Sequence, residues 1–227
     1  MKFSLLSMPM ITTAAAFTLL LVASWTRVWV NVDNGNTPGV VFNGTAPALG
    51  TPGYLYPSHF GLWTGCYDLT ATGEQWGCAF ISGACNTNIC WWVGNTLFCS
   101  TDRYDAIDSC GAYVSARVFI TLALIALVVA MVMLASGLKY AIADHASVGC
   151  LWATLVFLSI TCGTFVGGVY KGTGVGPNGS YSVQDEFSLD WSFILFGIAF
   201  GMTFVAAVVT TALALVVEKH QQTVDEY

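Results

Sequence analysis

Six cysteines, Cys66, Cys78, Cys85, Cys90, Cys99 and Cys110, crowd into one stretch of a chain that holds eight in all. Thiols at this density can bind a soft metal, supply a nucleophile or pair as disulfides. Cys85 and Cys90 are close enough in sequence to suggest metal, but no His lies near them and His59 stands alone, which is not a usual zinc ligand pattern. Disulfides are the expected chemistry, and they persist in oxidising compartments. Six cysteines admit many pairings; a Cys66–Cys78 hairpin bond would leave the other four to combine among themselves. The remaining two, Cys150 and Cys162, belong to an apolar run. In a helix they would stand about 18 Å apart, too far to bond. Both suit apolar packing, and Cys150 is also a candidate for palmitoylation beside the inner membrane face.

The elements that must position these thiols follow from composition. Of 227 residues, 56% are hydrophobic and 9% charged, with net charge −6 and mean hydropathy +0.68. Soluble domains carry about 25% charged residues. Apolar runs over Pro9–Val30, Tyr113–Leu138, Gly149–Tyr170 and Asp190–Val217 each reach the roughly 20 helical residues that cross a bilayer. A multi-pass protein in a lipid bilayer is expected, with a first connection over 31–111, an inner turn over 139–148, a second outer segment over 171–188 and a tail over 218–227. Lys2, the first apolar run and Ala23-Ser24 also resemble a secretory signal, but the run exceeds a signal core and ends in Trp25 and Trp29, so an uncleaved helix is the expectation. The acidic balance argues against nucleic acid as a partner, since phosphate binding rewards Lys and Arg.

Lys and Arg are too sparse for the positive-inside rule to orient the chain. The cysteine-dense connection points outward, and N-glycosylation sequons at Asn43 and Asn178 fall in the first and third connections. Four crossings put those connections on one side, so both termini are expected in the cytoplasm of a plasma-membrane protein. Within the first connection, Trp29–Val32, Gly61–Trp63, Cys78–Ile81 and Trp91–Val93 favour strands and Gly and Asn punctuate them. A small antiparallel sheet is expected, with too little core to stand without cross-links.

No catalytic constellation is visible in the sequence: the three His are dispersed and no P-loop, Gly-x-Ser-x-Gly or His-Glu-x-x-His occurs. The helix centres lack the ionisable groups that pumps carry. No enzyme activity and no cofactor are expected. Gly163-x3-Gly167 and Gly197-x3-Gly201 are expected to serve close helix packing within the bundle, or else a dimer face.

Trp29, then Gly61-Leu62-Trp63, then Cys66 and Cys78, resemble the signature of the claudin superfamily, which includes peripheral myelin and epithelial membrane proteins and calcium-channel γ subunits. Arg117 looks like the family's arginine at the outer end of the second helix, and Asp190–Leu195 is similar to the epithelial membrane protein branch. The resemblance implies a membrane all-α fold, a left-handed four-helix transmembrane bundle with a small extracellular antiparallel β-sheet. It implies that Gly61-Leu62-Trp63 anchors the sheet and that Cys66 pairs with Cys78, leaving Cys85, Cys90, Cys99 and Cys110 unassigned. From the residues themselves, Arg117 is expected either to donate hydrogen bonds to loop carbonyls or to snorkel to headgroups. The chain departs from claudins in its proline-bearing stretch before Gly61, in its four extra cysteines and in its ending, Asp225-Glu226-Tyr227.

The implied role is cell–cell contact or junction and membrane organisation, with other integral membrane proteins or a second copy, in cis or in trans, as partners. An auxiliary γ-type subunit of a channel or receptor is the alternative. Asp33, Asp68, Glu74, Asp102, Asp105 and Asp108 face Arg103 alone in the first connection. That excess suits solubility, and would favour cations if the loop lined a pore. Cys66→Ser or Cys78→Ser is expected to cause misfolding and intracellular retention, since losing a native bridge costs about 2–5 kcal/mol. Surface biotinylation measures it, and normal delivery of both variants would count against the braced sheet.

Overall fold

The computed structural model describes residues 2–26, 28–32, 40–45, 52–69, 76–80, 86–87, 90–93, 96–99, 104–105, 110–137, 141–170, 173–176, 179–182 and 187–225. Cys85, Asn178, Arg27 and Arg103 lie outside them. Among the described residues are four long helices: α1 (Lys2–Trp25), α2 (Cys110–Gly137), α3 (Ala141–Thr164) and α4 (Trp191–Asp225). A π-helical turn, Phe165–Tyr170, continues α3. Each helix carries a stretch long and apolar enough to cross a membrane: Met8–Trp25, Cys110–Ser136, His145–Tyr170 and Trp191–Val216.

The buried side chains of these helices recur at spacings of three and four. On α2 they are Tyr113, Ala116, Ile120, Ala123, Leu127, Ala130 and Leu134; on α4, Ser192, Phe196, Ala199, Thr203, Ala206, Thr210 and Ala214. On α2 that is a 3.5-residue seam, and on both helices it is a stripe of the kind helices use to pack side by side. The opposite faces are equally apolar and exposed, with Ile125 and Val132 on α2 and Ile194 and Leu215 on α4. A helix apolar all round is not one that water solvates. Polar seam residues are satisfied within their own helix: Thr13, Thr154, Thr161, Thr203 and Thr210 each donate a hydroxyl to the carbonyl four residues back, at 2.7–2.9 Å. In hydrocarbon that internal partner replaces water.

The chain divides into two compact units. One gathers the helical stretches of Met1–Ala23, Val118–Thr161 and Leu195–Tyr227. The other comprises Ser24–Arg117 and Cys162–Ile194 and contains all the described strands. Its main sheet uses β1 (Val30–Val32), β2 (Val40–Thr45), β3 (Pro52–Phe60), β4 (Thr64–Leu69), β5 (Trp76–Phe80) and β12 (Phe187–Leu189), in the order β12-β1-β3-β4-β5 with β2 also on β3. Three two-stranded ladders complete the unit: β6 (Asn86–Thr87) with β9 (Tyr104–Asp105), β7 (Cys90–Val93) with β8 (Thr96–Cys99), and β10 (Thr173–Gly176) with β11 (Gly179–Ser182). Every pairing among these strands is antiparallel. Pro57 lies in a middle strand, where its missing N–H breaks a ladder; the register between β3 and β4 shifts between Pro57 and His59, the bulge that tolerates it. Because β12 pairs with β1, the first and third connections share one sheet.

Several sequence expectations change. The first apolar run is helical only to Trp25, and its end, Val30 onward, is strand; a short apolar run suits either. Gly61–Trp63 is not a strand but the turn between β3 and β4. Helix α3 starts at Ala141, within the expected inner turn, and α4 runs to Asp225 through most of the expected tail. The four glycines of the two Gly-x3-Gly pairs are exposed, and a Cβ added to any of them would meet nothing within 4 Å. Gly spacing marks a helix face without saying which way it turns. The close approach falls instead at Gly168, where an added Cβ would lie 2.3 Å from the Cβ of Ala112. Gly→Ala in a helix ordinarily stabilises, by up to about 1 kcal/mol. Gly163→Ala should therefore raise the thermal midpoint of the detergent-solubilised chain slightly, whereas Gly168→Ala should lower it, by the roughly 1–3 kcal/mol of an overpacked contact.

Candidate functional site

The turn Gly61-Leu62-Trp63 is closed by the Gly61 N–H donating to the Thr64 carbonyl at 2.8 Å, just beyond the Phe60–Gly65 pair of β3 and β4. Gly61 and Leu62 are buried, so their carbonyls need partners from the protein itself. Two side chains of α2 supply them. The Tyr113 hydroxyl donates to the Gly61 carbonyl, and Arg117 Nε donates to the Leu62 carbonyl. Four residues apart on a helix, Tyr113 and Arg117 share one face.

Arg117 is only 6% exposed. Its guanidinium lies 4.3 Å from the Tyr113 ring centroid and 5.2 Å from that of Trp63, close enough for cation–π attraction to both. Trp63 also meets Trp25, ring centroids 6.5 Å apart and tilted by 31°. Of the two expectations for Arg117, the hydrogen bond to a loop carbonyl is the one present.

Trp29 centres a second cluster. Fully buried, it meets Phe165 edge-on at 4.8 Å and Phe193 at 5.7 Å, both favourable aromatic geometries. The ladder of β1 and β12 continues past Val30–Leu189: the Asp190 N–H donates to the Trp29 carbonyl at 3.0 Å and the Ser192 N–H to the Val28 carbonyl at 3.3 Å. Thr26 adds a hydroxyl bond to Ser192 at 2.7 Å. Asp190 is the N-cap of α4, its carboxylate accepting from the Trp191 N–H and its carbonyl from Ile194. An acidic cap suits both the free amides and the helix dipole.

The sequence-derived residues thus meet in one unit: Trp29, Gly61, Leu62, Trp63 and Arg117 form the two clusters. Cys66 and Cys78 are Cα partners across β4 and β5. Asn43 lies in β2. Sequence reasoning missed Tyr113 as a partner, although its i, i+4 relation to Arg117 was legible, and missed Phe165, which only the fold brings to Trp29. Chemically the arrangement is a clamp: aromatic rings, one buried cation and paired backbone groups hold the β3–β4 turn and the start of α4 in place.

Four helices long and apolar enough to cross a membrane point to a multi-pass membrane protein. Compared with known proteins, the chain matches no family model and no curated relative.

Tyr113→Phe is expected to destabilise the detergent-purified chain by about 1 kcal/mol, one neutral hydrogen bond. Arg117→Met should cost more, about 2–4 kcal/mol, because a charged donor and its ring contacts go together. Arg117→Lys should recover little, since an ammonium has neither Nε nor a planar face. Both residues hold one turn, so the double variant should lose less than the sum in thermal unfolding.

Proposed function

We propose that this chain is a claudin-like plasma-membrane protein that acts in cell–cell contact or in organising junctional membrane. Its helices form a left-handed bundle, its sheet stands in the extracellular space, and both termini are cytoplasmic. The observation that carries the reading is the convergence of Trp29, Gly61-Leu62-Trp63 and Arg117 on the clamp, with Cys66 and Cys78 in register on the next two strands. The 3.5-residue seam of α2 supports the handedness, since that repeat drives a left-handed supercoil. A held sheet suits recognition: the clamp limits its motion, so strands and loops beyond β4 can present a fixed surface to a second copy, in cis or in trans, or to another membrane protein. Trp91, Trp92, Leu97 and Phe98 in the β7–β8 hairpin are the candidate contact residues.

The second reading, an auxiliary γ-type subunit lying beside a channel or receptor, is favoured by the additional cysteine-bearing hairpin after β5. Expression in non-adherent cells separates the two. Enrichment at contacts between expressing cells, with self-cross-linking, is the expected result. Uniform surface distribution with a co-purifying channel would replace the first reading by the second, and uniform distribution with neither would leave membrane organisation alone.

A further inference from the structure

The register of the small ladders bears on the cysteines that no family pattern assigns. In β7–β8 the Cα partners are Cys90–Cys99, Trp91–Phe98, Trp92–Leu97 and Val93–Thr96. Residues directly opposite on an antiparallel pair stand about 4.5 or 5.5 Å apart at Cα and project to the same face. Both spacings fall within the roughly 4.4–6.8 Å that a disulfide spans. A two-residue loop, Gly94-Asn95, separates Val93 from Thr96, so if Val93–Thr96 is the hydrogen-bonded closing pair of a tight hairpin, alternation makes Cys90–Cys99 a closer, non-hydrogen-bonded pair.

Cys110, the first residue of α2, is disulfide-bonded. Cys150 and Cys162 are free thiols. Partnering Cys110 with Cys66, Cys78, Cys90 or Cys99 would strand a cysteine whose register partner faces it. Cys85 is the one choice that leaves both facing pairs intact. The β6–β9 ladder supports it: Thr87 faces Tyr104 and Asn86, next in sequence to Cys85, faces Asp105 on the strand that precedes α2.

We propose that the loop beyond β5 is closed by two nested disulfides, Cys90–Cys99 inside Cys85–Cys110. This makes residues 85–110 a separately stapled module, tied covalently to the head of the helix whose Tyr113 and Arg117 hold the Gly61–Leu62 turn. Each bridge forms by exchange with an oxidised dithiol carrier of the secretory lumen. One thiolate attacks the carrier disulfide, the second displaces the carrier, and the carrier leaves as its dithiol with two electrons and two protons. The assignment stands independently of the claudin-like reading, because it rests on strand register and the bonded state of Cys110.

The test is a disulfide map of the full chain, purified in detergent after alkylation of free thiols under denaturing, non-reducing conditions. Digestion with thermolysin, which cuts before Ile89, Leu97 and Phe98, and trypsin, which cuts after Arg103, separates all four cysteines. The expected linked peptides join Cys90 to Cys99 and Cys85 to Cys110, with no alkylation from Cys66 to Cys110. Peptides joining Cys85 to Cys90, Cys99 to Cys110, or any of these to Cys66 or Cys78, would overturn the assignment, as would alkylated Cys85 or Cys90 in the native chain. Cys85→Ser should add alkylation at Cys110 alone and leave Cys90–Cys99 linked; alkylation appearing at Cys90 or Cys99 instead would overturn it too. The native-chain map decides the matter even if that variant fails to reach the surface.

Discussion

Two backbone carbonyls govern the sheet-bearing unit. Gly61 and Leu62 turn the chain from β3 into β4 while buried, and an unsatisfied buried carbonyl costs free energy comparable to a lost hydrogen bond. Tyr113 and Arg117 meet both from one face of α2. The turn then sets the β3–β4 register, and β5 follows from β4. A slip of one residue on a strand moves every side chain to the opposite face, so the turn decides which face of the sheet the β4 residues, Cys66 among them, share with β3.

The Trp29 cluster does for the other edge of the sheet what Arg117 does for the turn. Pairing of β1 with β12 runs without a break into the cap of α4, so strand and helix share one continuous set of backbone bonds. Trp29 fills the space beneath with Phe165 from the π-helical turn and Phe193 from α4. A π turn widens the helix by one residue per turn, and here it coincides with Gly168, where the backbone meets Ala112. These contacts hold the β1–β12 side of the sheet.

The helices solve a different problem. With hydrocarbon rather than water outside, apolar area no longer distinguishes the inward face, and small residues and self-satisfied hydroxyls mark it instead. Ala and Thr dominate the α4 seam, whereas the larger aliphatic residues face outward. Arg117 is the buried cation among the described side chains, and its position between two rings offsets its desolvation.

Spans, their number and the cysteine-dense connection were legible in the sequence, because hydropathy and composition are local and additive along the chain. Trp29, Gly61–Trp63 and Arg117 stood out through their resemblance to the claudin-superfamily signature. Other features belonged to tertiary structure alone. The end of the first apolar run became strand because β3 and β12 offered it backbone partners. The paired glycines turned outward because helix rotation is set by neighbours, and spacing does not report it. Cysteine facing, finally, depends on register, which turns and distant hydrogen bonds decide; the same six thiols in the same order would suit other pairings if a single turn were one residue longer.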